Sequence, residues 1–152
     1  VDHRLSNGWM ILTGIGTYGD QFLKRALVAY MGLGANVDEE ATCPRTFTDD
    51  QGNQLNGKYN YVLHFDKDQL PPVEAFWSVT MYDKDFYLVP NCIKRYAIAD
   101  YTPGLEHNDD GSLDIYIQKC QPVDHASNWL PAPNNGPQFR FQFIIKNVST
   151  LC

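Results

Sequence analysis

Apolar residues recur with two different periods along this chain. Between residues 17 and 31 the period is helical, and the apolar stripe comprises Tyr18, Phe22, Leu23, Ala26, Leu27, Tyr30 and Met31. Thr17 can cap this helix, and Gly32 and Gly34 can end it. After Cys43 the period changes to two, which is the period of a β-strand. The pattern predicts one amphipathic helix followed by a β-rich region.

Four segments of the β-rich region show clear alternation, namely residues 59–65, 75–82, 113–118 and 139–146. In the second segment both alternating sets are largely apolar, which predicts a central strand that is covered on both faces. Turn signals separate these segments, at residues 49–53, 56–57, 103–104, 108–111 and 134–137. We therefore predict a mainly β fold, an antiparallel jelly-roll-like β-sandwich.

The length of 152 residues suits a single domain. Within it we predict a helical N-terminal segment over residues 1–42, with the helix packed at one end of a sandwich over residues 43–148. Aromatic residues make up 13% of the chain, which favours strands over a helical bundle.

Charge and hydropathy exclude two classes of partner. The formal net charge is −6, and no basic cluster is longer than Lys94-Arg95, so we expect no nucleic-acid binding. No apolar run approaches the roughly 20 residues that span a bilayer, so we expect no membrane span.

Several features suggest a secreted or cell-envelope protein. The chain begins at Val1, which we interpret as a mature or excised fragment, and Asn147 opens a glycosylation sequon. Four cysteines are present without a C-x-x-C motif: Cys43, Cys92, Cys120 and Cys152. They are compatible with two disulfides of undetermined connectivity or with buried free thiols.

Residues 14–19 fit the nucleotide-binding pattern G-x-G-x-x-G and precede the predicted helix. A dinucleotide site needs a parallel βαβ unit, whereas the predicted strands form an antiparallel series. We interpret the glycines as a turn that lets the helix pack closely, and we expect no cofactor. The histidines show no metal-binding spacing, so we expect no metal.

No catalytic motif stands out, since Ser78 and Ser112 lie in no G-x-S-x-G elbow. The candidate catalytic residues are Asp83, Arg95 and His64. His64 lies in a predicted strand, where a hydrogen-bonded structural histidine is the alternative interpretation. An aromatic cleft beside these residues would be lined by Trp77, Tyr82, Tyr96 and Trp129.

The order of several motifs supports a family resemblance. They include Leu70-Pro71-Pro72, Phe76-Trp77-Ser78, Met81-Tyr82-Asp83, Arg95-Tyr96-Ala97-Ile98, Asp110-Gly111-Ser112-Leu113 and Asn128-Trp129-Leu130-Pro131-Ala132-Pro133. In these the chain resembles the family of unknown function numbered 1214. Its members are typically the C-terminal half of proteins whose N-terminal half is the family numbered 1254. The resemblance implies a jelly-roll-like β-sandwich with a helix at one end, and it implies no catalytic residues.

Two functional hypotheses follow. The first is an extracytoplasmic structural or interaction module that self-assembles or pairs with a partner β domain. Its contact surface would be the wide apolar stripe of the helix, with Phe22, Leu23, Leu27 and Tyr30, and would bury more than about 1,000 Å². The alternative is a hydrolase or lyase that acts on a small or carbohydrate-like substrate in the aromatic cleft.

Overall fold

The computed structural model describes residues 2–4, 8–31, 35–133 and 140–146. In chain order its elements are β1 (Asp2–Arg4), β2 (Met10–Leu12), α1 (Phe22–Met31), β3 (Ala41–Thr42), β4 (Arg45–Thr46), β5 (Tyr61–Phe65), β6 (Phe76–Tyr82), β7 (Ala97–Ala99), β8 (Leu113–Gln118), β9 (Trp129–Pro131) and β10 (Arg140–Lys146). The described part of the chain is thus mainly β, with one α-helix, and all four alternating segments form strands.

The strands form two sheets. The larger sheet has seven strands in the order β1-β2-β4-β10-β6-β7, with β3 also paired to β10, and the smaller sheet has the order β5-β8-β9. One pair departs from the predicted antiparallel arrangement, because β9 runs parallel to β8. The chain crosses over between these two strands rather than turning back in a hairpin. Pro131 ends β9 at the edge of the small sheet, where a residue without an N–H is tolerated.

Strand β6 is central, as its two apolar faces predict. It pairs with β10 over seven residues, from Phe76 opposite Lys146 to Tyr82 opposite Arg140, and with β7 on its other side. Its five inner residues, 77–81, are all buried.

Alternate residues of the two sheets share one hydrophobic core. β6 contributes Trp77, Val79 and Met81, the small sheet contributes Leu113, Ile115, Ile117 and Leu130, and all are buried. The ring of Phe65 on β5 lies 6.1 Å from that of Trp77. In β8 the burial alternates with the same period as the apolar residues of the sequence.

The helix begins at Phe22 rather than at Thr17. Residues 18–21 form a turn instead, in which the N–H of Gln21 donates to the carbonyl of Tyr18 at 2.9 Å. Gly19 in this turn has a φ of 51°, a left-handed conformation that ends any helical run from Thr17. The first helical turn thus forms only after the glycine.

The glycine-rich segment is a tight turn packed on the chain after the helix. Gly16 has a φ of 92°, and a Cβ there would lie 2.6 Å from the backbone nitrogen of Val37. The N–H of Gly14 donates to Asp38 Oδ2 at 2.8 Å, and Lys24 Nζ donates to the Gly14 carbonyl at 2.5 Å. Among the described strands, those flanking α1 pair antiparallel with other strands, so they form no parallel βαβ unit.

Replacing Trp77 by Ala should cost about 3–5 kcal/mol in the free energy of unfolding, because the indole is only 4% exposed in the shared core. Chemical denaturation measures this cost. Val123→Ala is the control: its side chain is 99% exposed, so the change should stay within about 0.5 kcal/mol. Equal midpoints for the Trp77 variant and the unmodified protein would contradict the core placement.

Candidate functional site

A cavity of about 460 Å³ lies beside β5. Residues 60–64 provide one part of its lining, and a second part comes from β4 and the turn after it, with Thr46, Thr48, Asp49 and Asp50. Trp9, Leu55 and Ile117 complete the lining. The volume falls within the range of small-molecule sites, roughly 300–1,000 Å³. The described residues contribute no lysine or arginine to this lining.

The turn after β4 is held by its own polar groups. Asp49 Oδ1 accepts the N–H groups of Gln51 at 3.0 Å and Asn53 at 2.8 Å, and Oδ2 accepts the Asn53 side-chain amide. Burial alone would raise the pKa of Asp49, but the hydrogen bonds from Asn53, Gln51 and Gly52 outweigh it and lower the pKa. This carboxylate is therefore ionised, and its hydrogen bonds stabilise the turn.

His64 pairs with Asp114 across two neighbouring strands. The two residues are directly opposite in the β5–β8 register, and His64 Nδ1 lies 2.6 Å from Asp114 Oδ1. His64 Nε2 lies 3.3 Å from Asp66 Oδ1. A protonated imidazole can donate to both carboxylates at once, whereas a neutral imidazole can donate to only one of them. The hydrogen bond that His64 donates to Asp114, helped by Asp66, accordingly raises the pKa of His64.

A second histidine–carboxylate contact lies on the same side of the small sheet. His125 Nδ1 lies 3.1 Å from Glu106 Oε2, and the imidazole stacks on the ring of Tyr116 with centroids 5.3 Å apart. Tyr116 lies two residues from Asp114 on β8, so the two side chains share a face of the sheet. Burial, together with the charge of Asp114, raises the pKa of the Tyr116 phenol.

A buried asparagine positions this group of residues. Asn128 Oδ1 accepts the N–H of Glu106 at 2.9 Å, and its amide nitrogen donates to the carbonyls of Glu106 and Asp114 at 2.7 and 2.9 Å. The polar ends of Asn128 are thus satisfied although the side chain is buried. It ties the loop before β8, the strand β8 and the start of β9 together.

Arg95 and Asp83, the predicted catalytic pair, each have a structural role. Arg95 Nη1 donates to the carbonyls of Ala126 at 2.7 Å and Trp129 at 2.9 Å, and so holds the segment that leads into β9. Asp83 Oδ1 accepts the N–H groups of Asp85 and Tyr87, both at 2.9 Å, and so closes a turn after β6. The hydrogen bonds of the described residues do not join Arg95 to Asp83.

Of the candidate residues, His64 lines the cavity beside β5, whereas the four aromatic residues do not. Trp77 and Trp129 are both buried, and the Trp129 indole N–H donates to the Gln118 carbonyl at 2.8 Å. Tyr82 and Tyr96 are half-buried at the end of β6 and just before β7. A cleft lined by these four aromatic residues stays a prediction.

No sequence motif indicates Asp114, Trp9 or the polar residues after β4 as site residues. Asp114 alternates with buried residues of β8, which marks it only as an outward-facing residue. Its contact with His64 depends on the β5–β8 register, which joins two residues that are 50 positions apart in the chain. A local motif carries no signal of that kind.

The helix presents most of its apolar residues to solvent. Phe22, Leu23, Leu27 and Tyr30 are 66, 85, 54 and 79% exposed, while Val28 is buried. The Tyr30 ring meets the edge of Phe86, with centroids 6.4 Å apart, and Arg25 lies over the Phe22 ring. We call Phe22, Leu23, Leu27 and Tyr30 the α1 apolar surface.

The remaining sequence features have simple placements. Cys92 and Cys120 are exposed free thiols, Cys43 is half-buried, and Cys152 and Asn147 lie outside the described residues. Within the described ranges, no three or more His, Cys, Asp or Glu side chains are grouped to hold a metal ion. The described helices are all too short or too polar to cross a bilayer.

In a histidine NMR titration, we expect His64 to titrate above its ordinary value of 6.5, because Asp114 and Asp66 favour the imidazolium. Asp114→Asn should move this pKa down towards 6.5, while Asp109→Asn, at an exposed neighbouring turn, should leave it unchanged. Since the folded-state pKa is the raised one, the contact adds stability at low pH. That stability is fully present below about pH 6.5 and is lost as pH rises through the raised pKa. An unchanged His64 titration in Asp114→Asn would contradict the assignment.

Comparisons with known proteins agree with this architecture. The model of the family described as "Protein of unknown function (DUF1214)" matches residues 40–146. The crystal structure of the VPA0106 protein from Vibrio parahaemolyticus is similar, with a TM-score of 0.68 and 27% sequence identity over 80% of this chain. The match spans only 29% of that longer chain. No curated protein matches. Since the family model covers most of its length, the chain belongs to the DUF1214 family of proteins of unknown function.

Proposed function

We propose that this domain is an extracytoplasmic structural module that self-assembles through the α1 apolar surface. The single observation that carries the proposal is the exposure of that surface. At 100° per residue, Phe22, Leu23, Leu27 and Tyr30 lie within an arc of about 140°, and buried Val28 lies outside this arc. The helix thus packs on its own domain by a narrow edge and leaves its wide apolar face uncovered.

The spacing within the surface favours another helix as the occupant. Leu23, Leu27 and Tyr30 stand at positions i, i+4 and i+7, which is the seam that packs between two helices. A second copy of the chain supplies an identical seam, and a two-fold axis through it makes a self-complementary contact. Each copy would then cover the exposed face of the other.

The energetics are adequate for such a contact. Complete burial of a Leu or Phe side chain contributes about 1.5–3 kcal/mol. A symmetric contact buries four large side chains from each copy, which offsets an association cost of roughly 4–15 kcal/mol. Exposed apolar patches of this kind commonly mark interaction sites.

A partner domain is the second candidate occupant. The similar VPA0106 chain extends well beyond the region that this domain matches, so a domain of this kind has other polypeptide beside it in that protein. The proposed secreted or cell-envelope location rests on the glycosylation sequon at Asn147. The jelly-roll-like connectivity and the packing of α1 at one end of a sandwich belong to the same proposal and rest on the family resemblance.

Sedimentation velocity of the unmodified protein, from a few micromolar to about 100 µM, tests the self-assembly. We expect a dimer that the double variant Leu23→Asp, Leu27→Asp converts to a monomer, because two carboxylates would be buried in the seam. Val123→Asp is the matched control, since it places the same charge on an exposed apolar residue away from the helix.

The two proposed occupants give different results. A monomer throughout this concentration range overturns self-assembly and favours a partner domain on the same surface. A dimer that persists in the double variant places the contact elsewhere and overturns the role of α1. Near-UV circular dichroism checks that both variants keep their tertiary structure.

The hydrolase or lyase hypothesis remains the alternative function. The observation that favours it is the His64–Asp114 pair beside the cavity, because a carboxylate that orients an imidazole is a common arrangement for acid–base catalysis. It assigns the chemistry to His64 and not to Asp83 or Arg95, whose polar groups bond to the backbone.

A further inference from the structure

We propose that the cavity beside β5 binds a neutral, polyhydroxylated molecule of about one or two sugar rings, between Trp9 and the polar side chains of Thr48, Asp50 and Asn60. These side chains line one continuous cavity although they come from three separate segments of the chain. The inference concerns a surface other than the α1 apolar surface and does not depend on self-assembly.

Size and charge restrict the ligand class. The cavity of about 460 Å³ corresponds to the space of roughly fifteen water molecules, which is enough for a small organic ligand. Among the described residues, its lining holds two carboxylates, Asp49 and Asp50, and neither lysine nor arginine. The two carboxylates repel a phosphate or carboxylate ligand, and the positive charge that His64 can carry is already paired with Asp114 and Asp66.

Some polar groups of the lining form hydrogen bonds within the protein, and others remain available to a ligand. The Thr46 hydroxyl, the Asp49 carboxylate and the Tyr61 hydroxyl all bond to nearby backbone. By contrast, the side chains of Thr48, Asp50 and Asn60 make no hydrogen bond with the other described residues. Together they present hydroxyl, carboxylate and amide groups, which both donate to and accept from alcohols.

The apolar part of the lining provides a wall on which a sugar ring can pack. Trp9 is half-buried and also packs against the core, so its position is supported from behind. Leu55 and Ile117 are buried and close the cavity towards the core. An aromatic wall with a few polar groups is the usual composition of a small-molecule site, and the C–H face of a sugar ring can pack on the indole.

A cationic ligand fits less well than a neutral one. Asp49 is already surrounded by the N–H groups of its own turn, so Asp50 is the lining carboxylate with available oxygens, and it is exposed to solvent. A single solvated carboxylate attracts a cation weakly. His64, which also lines the cavity, becomes positively charged as the pH falls.

Intrinsic tryptophan fluorescence provides the test. The chain has three tryptophans, and because Trp77 and Trp129 are buried, Trp9 is the one that a ligand in the cavity can reach. We expect cellobiose to produce a saturable blue shift with millimolar affinity. Asp50→Asn and Asn60→Ala should each weaken binding by about tenfold, as the loss of one hydrogen bond to a ligand predicts.

Asp109→Asn is the matched control, because it removes an exposed carboxylate that does not line the cavity. It should leave cellobiose binding unchanged. Choline chloride and inorganic phosphate, used as cationic and anionic probes at the same concentrations and constant ionic strength, should give no saturable shift.

Three results would overturn the proposal. The first is no response to cellobiose up to about 50 mM, well above the affinity expected of a weak site. The second is a saturable response to choline alone, which would assign the cavity to cations. The third is equal weakening by Asp109→Asn and Asp50→Asn, which would indicate a general charge effect. Asp50 and Asn60 are exposed, so unchanged melting midpoints should accompany both variants.

Discussion

Burial of the alternate residues of β6 and β8 against one another determines where the other described strands lie. Trp77, Val79 and Met81 on one strand and Ile115 and Ile117 on the other are all buried. Successive side chains of a strand point to opposite faces of the sheet. Packing these residues inwards therefore places the intervening residues on the opposite faces. The large sheet extends sideways from β6, and the small sheet extends sideways from β8.

This packing places the polar chemistry of the small sheet on its outer side. Asp114 and Tyr116 alternate with the core residues of β8, and His64 lies directly opposite Asp114. Hydrogen bonds hold the loops that complete this group. Asn128 donates to the carbonyl of Glu106, and Arg95 donates to the carbonyl of Trp129 at the start of β9. Asn128 and Arg95 both bond to backbone groups. They therefore fix the positions of these loops through hydrogen bonds and not through apolar packing.

The α1 apolar surface and the cavity beside β5 differ in chemistry, because one lies on an exposed helix and the other lies between a strand and a polar turn. Among its described side chains the helix contributes only Val28 to the buried set, so the α1 apolar surface remains available to another apolar surface. The cavity forms instead where β5 meets the turn after β4, and polar residues provide much of its lining. An apolar helix face suits a protein contact, whereas a partly aromatic, partly polar cavity suits a small ligand.

Periodicity alone was enough to predict β5, β6, β8 and β10, the central position of β6 and the presence of one amphipathic helix, because alternation and the helical repeat are local properties. The start of the helix at Phe22 depended on the left-handed conformation of Gly19, and the parallel β8–β9 pair on a crossover. Neither has a periodic signal. Only the tertiary structure decided that His64 meets Asp114, that Arg95 binds carbonyls instead of Asp83, and that the helix stripe faces solvent. Each of these depends on register or packing between residues far apart in the chain, which no local pattern encodes.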